Sequence, residues 1–198
     1  MSLLTYNEIK PKKFILHENA PWEVLDSQVS RKQQNKPYNR TRLRNLNTGQ
    51  VIDWTFHVND KVEEADINKK TITYLYFNNK KDEYWFSDPK NQQDRFTLSS
   101  VIVGDGIKFI KEKNPVDALT FTNTNGETSI IGISYPIKAS LLVTDAPPNI
   151  KGDTATGGRK TVTLETGISI QAPLFINTGD IIIINTETGD YAEREEKA

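Results

Sequence analysis

The last fifty or so residues carry the feature that most constrains the fold: short runs rich in β-branched residues, separated by glycine turns. The turns fall at Gly157-Gly158, Gly167, Gly179 and Gly189. Strands this short are not stable alone, and closing them into a barrel covers their unpaired edges. This part of the chain is therefore predicted to be a small β-barrel.

Similar strand signals recur along the rest of the chain, with Asn, Gly and Asp between them. They lie at residues 14–16, 22–25, 42–46, 71–77, 129–133 and 181–184. Helical periodicity is scarce: residues 91–102 are expected to hold a short helix or an irregular turn, and residues 97–102 the start of another helix. The chain is therefore predicted to be all-β.

Two charged, turn-rich stretches, at residues 63–70 and 134–138, indicate domain boundaries. They divide the 198 residues into three pieces of about 65 residues each, and the second and third have the strand density of small five-stranded barrels. The predicted domains are residues 1–68, 69–135 and 136–198.

Composition excludes several classes of protein. No apolar run approaches the roughly 18 residues of a membrane span, and the N-terminal residues lack the pattern of a signal peptide, so a cytoplasmic protein is expected. The absence of cysteine excludes disulfides, iron–sulfur clusters and thiol nucleophiles. The only histidines, His17 and His57, have no metal-ligand spacing and are expected at the surface or half-buried in strands. No catalytic residue, metal or cofactor is predicted, and the protein is not expected to be an enzyme.

Charge is distributed unevenly along the chain. Residues 1–50 hold nine Lys and Arg against four acids, a net of +5, whereas the remaining residues carry a net of −6. A polar, basic loop at residues 30–39 is predicted to be a projecting hairpin tip. After it Arg40, Arg42 and Arg44 alternate with other residues, and strand periodicity sets them on one face about 7 Å apart, a spacing that suits successive phosphates. A solvated charged face is the alternative.

A glycine-rich loop begins at Gly152-Asp153-Thr154 and ends near the basic pair Arg159-Lys160. It is not a nucleotide-binding loop, because Lys and Ser/Thr do not directly follow its second glycine and the next residues alternate like a strand. Its amides, hydroxyls and basic pair suit a phosphate or a base edge, or it is a plain inter-strand loop.

Ordered landmarks along nearly the whole chain resemble the bacterial elongation factor P family. They are Arg42-Leu43-Arg44-Asn45-Leu46-Asn47-Thr48-Gly49, Thr55-Phe56, Ala65-Asp66, Tyr74-Leu75-Tyr76, Tyr84-Trp85-Phe86, Gly152-Asp153-Thr154, Ala172-Pro173-Leu174 and Thr188-Gly189-Asp190-Tyr191. The resemblance implies an SH3-like (KOW-like) N-terminal domain and two OB-like barrels, arranged in an L shape that mimics tRNA.

The resemblance also implies a function. Such a factor binds the ribosome between the peptidyl-tRNA and exit sites and stimulates peptide-bond formation at polyproline stalls by positioning the peptidyl-tRNA. Its expected partners are ribosomal RNA, the stalk protein of the large subunit, peptidyl-tRNA and the exit-site codon, and a monomer is expected. Two alternatives stay open: a generic single-stranded RNA-binding OB protein that uses Tyr74, Tyr76, Tyr84 and Trp85 as stacking platforms, and a β-barrel hydrolase with a carboxylate site.

From their charge and placement, Arg31, Arg40, Arg42 and Arg44 are expected to contact tRNA or ribosomal RNA. Carried over to this chain, the family pattern assigns roles to three further sets of residues. It implies that Gly152, Asp153 and Thr154 face the exit-site codon and that Tyr191 and Arg194 contact RNA of the small subunit. The tip toward the peptidyl transferase centre is Lys32, Gln33, Gln34, Asn35 and Lys36, where many relatives have P-G-K-G with a modified lysine. Gln34 falls at the lysine position and cannot accept that chemistry. Either the tip works unmodified through Gln34, or a shift of one or two residues gives the role to Lys32 or Lys36.

Overall fold

A computed structural model of the protein describes residues 2–31, 36–123, 125–148 and 158–198. Within these residues the β-branched and aromatic runs form sixteen strands, and helical turns occur only between the ninth and tenth of them. The predicted all-β class is confirmed. No helix in the described part of the chain is long and apolar enough to cross a membrane.

The elements follow one another in this order. The first nine strands are β1 Leu3–Thr5, β2 Phe14–His17, β3 Ala20–Ser30, β4 Tyr38–Asn45, β5 Val51–His57, β6 Lys61–Glu63, β7 Ile67–Asn78, β8 Glu83–Asp88 and β9 Asn91–Ser99. Then come helix α1 Ser100–Val103 and a 3-10 helix, Asp105–Phe109. The remaining strands are β10 Pro115–Thr122, β11 Thr128–Ser134, β12 Lys138–Asp145, β13 Arg159–Leu164, β14 Ser169–Pro173, β15 Ile181–Asn185 and β16 Tyr191–Glu196.

The chain divides into two compact units, and the first comprises Met1–Thr71 and Asp117–Ile133. It contains a two-stranded antiparallel sheet, β1-β6, and a four-stranded antiparallel sheet of order β2-β3-β4-β5. One face of these strands is apolar and packs into a core of Leu4, Ile9, Ile15, Trp22, Val24, Leu43, Phe56 and Val62. Burial of this set fixes the register of the hairpin that leads to the predicted tip.

The second unit comprises Ile72–Val116 and Ser134–Ala198. Its five-stranded antiparallel sheet has the order β14-β13-β12-β15-β16. Alternate residues of these strands form the core, which includes Leu141, Val143, Val162, Leu164, Ile182 and Ile184. Phe109 of the 3-10 helix packs into the same core beside Gly189. Gly189 has φ +78°, and a Cβ there would lie 3.3 Å from the Phe109 ring, so both backbone and space favour glycine at this turn.

A further five-stranded sheet has the order β11-β10-β7-β8-β9. The division between the units passes through β7 and β10, so each unit contains part of this sheet. The predicted division into three domains stays a prediction.

The predicted strands are all present, but the prediction for residues 91–102 is wrong in part. Asn91–Ser99 is strand β9, paired with β8 through registers such as Phe86↔Phe96. Helix begins only at Ser100 and ends after one turn at Gly104, where φ is +71°. The pairing with β8 supplies hydrogen bonds along β9 that local sequence cannot reveal, and this overrides the weak helical pattern.

Candidate nucleic-acid interface

Strand β4 presents its arginines on one face, as strand periodicity predicts. Arg40, Arg42 and Arg44 are exposed, and the residues between them, Thr41 and Leu43, are buried. Successive side chains in a strand point to opposite sides, so the three guanidinium groups share the solvent face of the sheet. The geometric part of the prediction is confirmed, whereas contact with RNA stays a prediction.

The buried face of β4 holds that row in place. Asn39 Nδ2 donates hydrogen bonds to the carbonyl oxygens of Tyr6 at 2.6 Å and Ile9 at 2.9 Å. Thr41 Oγ1 donates to the carbonyl oxygen of Trp54 at 2.9 Å. Because buried polar groups are costly without partners, these bonds tie β4 to the N-terminal segment and to β5. The backbone of β4, which carries the arginines, is therefore held by the N-terminal segment and by β5.

The three arginines differ in their electrostatic surroundings. Arg44 Nη2 lies 2.5 Å from Glu23 Oε2 in an ion pair. Arg42 stands in register between Asp26 of β3 and Asp53 of β5. The cross-strand partners of Arg40 are neutral, Gln28 on β3 and Thr55 on β5. The least compensated positive charge is therefore at Arg40, the end of the row nearest the hairpin tip.

Four of the five predicted tip residues lie outside the described residues: Lys32, Gln33, Gln34 and Asn35. At the two ends of the tip, Arg31 and Lys36 are exposed. Pairing of β3 with β4 continues up to Ser30↔Tyr38, so residues 31–37 connect the two strands. Arg31 and Lys36 thus add positive charge at the same end of the hairpin as Arg40.

The predicted exit-site residues of the glycine-rich loop, Gly152, Asp153 and Thr154, also lie outside the described residues. Of the basic pair that follows the loop, Arg159 is exposed and Lys160 is buried. Lys160 Nζ donates a hydrogen bond to the carbonyl oxygen of Pro147 at 2.9 Å. The prediction that the basic pair meets a phosphate or a base edge is wrong for Lys160, because its position in β13 points it inward and its ammonium binds the backbone.

Tyr191 and Arg194 lie on β16 in different surroundings. Tyr191 is partly buried against the core of the second unit, and burial is the main cause that raises the pKa of its hydroxyl. The Arg194 guanidinium lies 5.3 Å from the centre of the Phe175 ring, and its Nη1 is 3.5 Å from Asp180 Oδ2. The predicted small-subunit contact is thus an arginine held between an exposed ring and a buried carboxylate.

Asp180 is the anchor of this arrangement and is fully buried. Burial acts to raise the pKa of its carboxyl, but hydrogen bonds from the amides of Ala198 and Asn177 and the charge of Arg194 outweigh it and lower the pKa below its usual value. The carboxylate is therefore ionised and fixes Arg194. Sequence reasoning missed both Phe175 and Asp180, because neither stands at a spacing that links it to Arg194 before the sheet register is known.

The aromatic residues of β7 and β8 do not form one stacking platform. Tyr74 is only 6% exposed and packs against Phe86 at a ring distance of 5.6 Å. Burial raises the pKa of Tyr74 to about 12. Tyr76, 39% exposed, instead stacks on Trp85 at 6.0 Å. The interpretation of Tyr74 as an RNA platform is therefore wrong, since base stacking requires an accessible ring face.

The histidines are placed as expected. His57 is exposed on β5, and His17 is half-buried on β2 among Trp22, Trp54 and Phe56. Among the described residues no group of three or more His, Asp or Glu side chains is arranged to hold a metal ion.

Comparison with known proteins agrees with the landmarks in the sequence. The family model described as "Elongation factor P (EF-P) KOW-like domain" matches residues 5–62, and "Elongation factor P, C-terminal" matches residues 140–194. Elongation factor P of Carboxydothermus hydrogenoformans is 35% identical over 192 residues, and that of Pelotomaculum thermopropionicum is 36% identical over 192 residues. Each alignment covers 97% of this chain and 100% of the relative.

Among solved structures, eukaryotic translation initiation factor 5A from Methanococcus jannaschii matches with a TM-score of 0.49 and 16% identity, over 67% of this chain and 94% of that one. The assignment to a family follows from the sequence matches, which span both ends of the chain, and the antiparallel sheets fit the β-barrel domains of that family. The chain belongs to the family of elongation factor P, a non-enzymatic translation elongation factor.

Proposed function

We propose that this protein binds the ribosome between the peptidyl-tRNA and exit sites and stimulates peptide-bond formation at consecutive prolines. The ribosome supplies the reaction, and the bound factor restricts unproductive arrangements of peptidyl-prolyl-tRNA. Holding reactants in a productive geometry lowers the entropic part of an activation barrier. The factor works in the cytoplasm and requires no catalytic group of its own.

The observation that carries the proposal is the exposed arginine row of β4. It runs along the hairpin toward the tip, and its charge is least compensated at Arg40, which has neutral cross-strand partners. Exposed Arg31 and Lys36 extend the positive charge. Guanidinium groups bind phosphates in a bidentate manner, so a row with this pitch suits the backbone of tRNA or ribosomal RNA.

For the tip, the proposal assigns the apex to Gln34 without a covalent extension. Ser30 pairs with Tyr38, and Gln34 is the middle of the seven residues between them. A glutamine amide both donates and accepts hydrogen bonds, which suits the CCA end of a tRNA. If the tip is instead modified, the acceptor is Lys32 or Lys36.

For the second unit, the proposal assigns Gly152, Asp153 and Thr154 to the exit-site codon. It assigns Tyr191 and Arg194 to RNA of the small subunit. The support for Arg194 is its orientation between Phe175 and Asp180, which reduces the side-chain entropy lost when it binds. Ribosomal RNA, the stalk protein of the large subunit and peptidyl-tRNA are the remaining partners in this proposal.

A reconstituted translation system with a triproline reporter tests the function. Adding the protein to matched ribosomes should raise the rate at the triproline site and leave a reporter without prolines unchanged. The absence of any rate change would contradict the proposal. Sedimentation with ribosomes that have an empty exit site separates it from the alternative of a generic RNA-binding protein, which would bind free oligonucleotides equally well.

The tip is tested separately by intact mass of the natively produced protein and by three single variants. Gln34→Ala should lower the triproline rate with nearly unchanged ribosome affinity, whereas Lys32→Ala and Lys36→Ala should mainly weaken binding. A mass increase located on Lys32 or Lys36, or full rescue by Gln34→Ala, would move the apex to a lysine.

A further inference from the structure

The first unit contains an open cavity of about 640 Å³ between the β2–β3 turn and the β5–β6 connection. The turn residues Glu18 and Asn19 both have positive φ, 50° and 62°, which gives the tight reversal of a two-residue hairpin. The apolar part of the lining is Leu16, Trp54, Phe56 and Val62, and the charged part is Glu18, Asp60, Lys61 and Glu63. The cavity is thus open, its exposed lining is more polar than apolar, and its rim is predominantly acidic.

Trp54 is the unusual residue of this lining. It is 41% exposed, whereas Phe56, on the same face of β5, is 3% exposed. The His17 ring packs against the indole with a centroid distance of 4.6 Å, and the Trp54 carbonyl oxygen accepts the hydrogen bond from Thr41. The His17 ring covers part of the indole and the Thr41 bond fixes the backbone that carries it, while Trp54 lines the cavity and stays 41% exposed. A fixed, accessible indole is the strongest aromatic binder of cations in proteins.

The charges around the cavity favour the same ligand. Glu18, Asp60 and Glu63 oppose a single cation, Lys61, and none of these three carboxylates is in an ion pair with a described residue. Asp60 Oδ2 accepts a hydrogen bond from the amide of His57, which fixes that carboxylate at the cavity edge. The charged side chains that line the cavity are therefore net negative, although the first fifty residues of the chain carry net positive charge.

The arrangement discriminates between kinds of ligand. An RNA phosphate is disfavoured by three carboxylates. A metal ion needs several oxygen ligands around one point, and no such group exists among the described residues. An organic cation with an aliphatic stem satisfies both parts of the lining, because the stem covers apolar surface while the charged head lies near the indole and the acids.

The cavity lies on the opposite face of the sheet from the arginine row. Trp54 pairs with Thr41 and Phe56 with Asn39, the buried positions of β4, whereas Arg40 and Arg42 point to the other side. A ligand in the cavity and RNA on the arginine face therefore do not compete for space. One sheet offers two separate recognition surfaces of opposite charge.

We infer that this cavity binds a lysine or arginine side chain carried on a basic segment of a partner protein. The inference is independent of the proposed function, since it uses neither the arginine row nor the tip. The expected contact places the aliphatic stem beside Leu16 and sets the charged head between Trp54 and the rim acids.

The test uses the full-length, isotope-labelled protein and NMR titration with Nα-acetyl-lysine methylamide. The indole N–H signal of Trp54 should shift and saturate, and that of Trp85, in the second unit, should stay in place. Nα-acetyl-norleucine methylamide, which keeps the stem and lacks the charge, should produce no saturable shift. Equal shifts with both compounds, or none with the lysine derivative, would overturn the inference.

Charge-neutralising variants sharpen the test. Glu18→Gln combined with Glu63→Gln should weaken binding about fivefold, the order expected for two partly solvated charge contacts. The matched control, Asp94→Asn with Glu196→Gln, changes net charge equally at exposed sites of the second unit and should have no effect. Both double variants should keep the wild-type melting temperature. Equal weakening by the control, or tighter binding of free spermidine than of a Gly-Lys-Gly peptide, would contradict a specific side-chain site.

Discussion

Strands β4 and β7 show how far alternation in a sequence can be trusted. Both are paired on two sides, and both contain residues of one kind at alternate positions: the arginines of β4, and Tyr74 and Tyr76 of β7. The β4 arginines share one face, whereas Tyr74 is buried and Tyr76 is exposed. The same spacing thus accompanies a shared face in one strand and opposite burial in the other.

The cause is the position of a β-bulge. In the β3–β4 ladder the register shifts between Val24 and Asp26, so the extra residue, Leu25, is in β3 and β4 stays regular. In the β7–β8 ladder the shift lies between Tyr74 and Tyr76, so the extra residue, Leu75, is in β7 itself. A bulge changes which side of the sheet later residues face. The period of two is therefore reliable only in the strand that does not contain the bulge.

The strongest effect is expected for the two tyrosines. Tyr74→Ala should reduce the free energy of unfolding by about 3–5 kcal/mol, as for other large buried aromatic residues, because it empties space beside Phe86. Tyr76→Ala should cost about 1 kcal/mol, since Tyr76 is already partly exposed. Urea denaturation of the two variants measures the difference. Equal losses of stability would mean that the two rings lie in the same environment and that no bulge separates Tyr74 from Tyr76.

On β4, a buried residue and its exposed neighbour should also differ in how much stability their substitution costs, by a slightly smaller amount than the two tyrosines. Leu43 is fully buried, and Leu43→Ala should cost about 2–5 kcal/mol. Its neighbour Arg42 is exposed, so Arg42→Ala should change stability by about 0.5 kcal/mol or less. Denaturation under identical conditions gives both values. A large loss of stability for Arg42→Ala would show that the fold depends on Arg42 to neutralise its flanking acids, Asp26 and Asp53.

A more modest effect is expected in ribosome binding from Arg40→Glu combined with Arg42→Glu. The pair should weaken affinity with little change in melting temperature and should flatten the slope of log affinity against log salt by up to roughly two units, one for each phosphate that is no longer neutralised. Arg40 should account for the larger share, because Asp26 and Asp53 flank Arg42. Arg44→Glu should flatten the slope less, because Glu23 already compensates this charge. Binding measured at several salt concentrations gives the slopes. Identical slopes in wild type and double variant would mean that these arginines do not contact phosphates of the ribosome.

The smallest expected effect is a change in the ultraviolet titration of the tyrosines, which reports whether Tyr74 is buried. Its pKa is raised to about 12 by burial, so Tyr74 stays neutral above the ordinary tyrosine pKa of about 10. Because the folded protein holds this proton more tightly than the unfolded chain, the associated stability is complete below about pH 10 and is lost as pH rises toward 12. Ultraviolet titration of wild type and Tyr74→Phe should differ by one late-ionising group. A difference that appears near pH 10 would place Tyr74 at the surface.

Local patterns in the sequence were enough to establish the all-β class, the approximate positions of the predicted strands, the one-sided arginine row and the family. The patterns are β-branched and aromatic runs, glycine turns, a period of two, and landmarks whose order and separation are independent of packing. Leu43 and Arg42 illustrate this, because adjacent residues of a regular strand must face opposite sides whatever lies beyond them.

Which distant residues meet depended instead on tertiary packing. Arg194 finds Phe175 and Asp180, His17 packs on Trp54 beside an acidic rim, Glu23 pairs with Arg44, and Lys160 binds the carbonyl of Pro147. The same holds for β9, which is a strand because β8 pairs with it. The physical reason is that sheet register and bulges are set by the combined burial of many side chains across neighbouring strands, and a single run of sequence does not contain that sum.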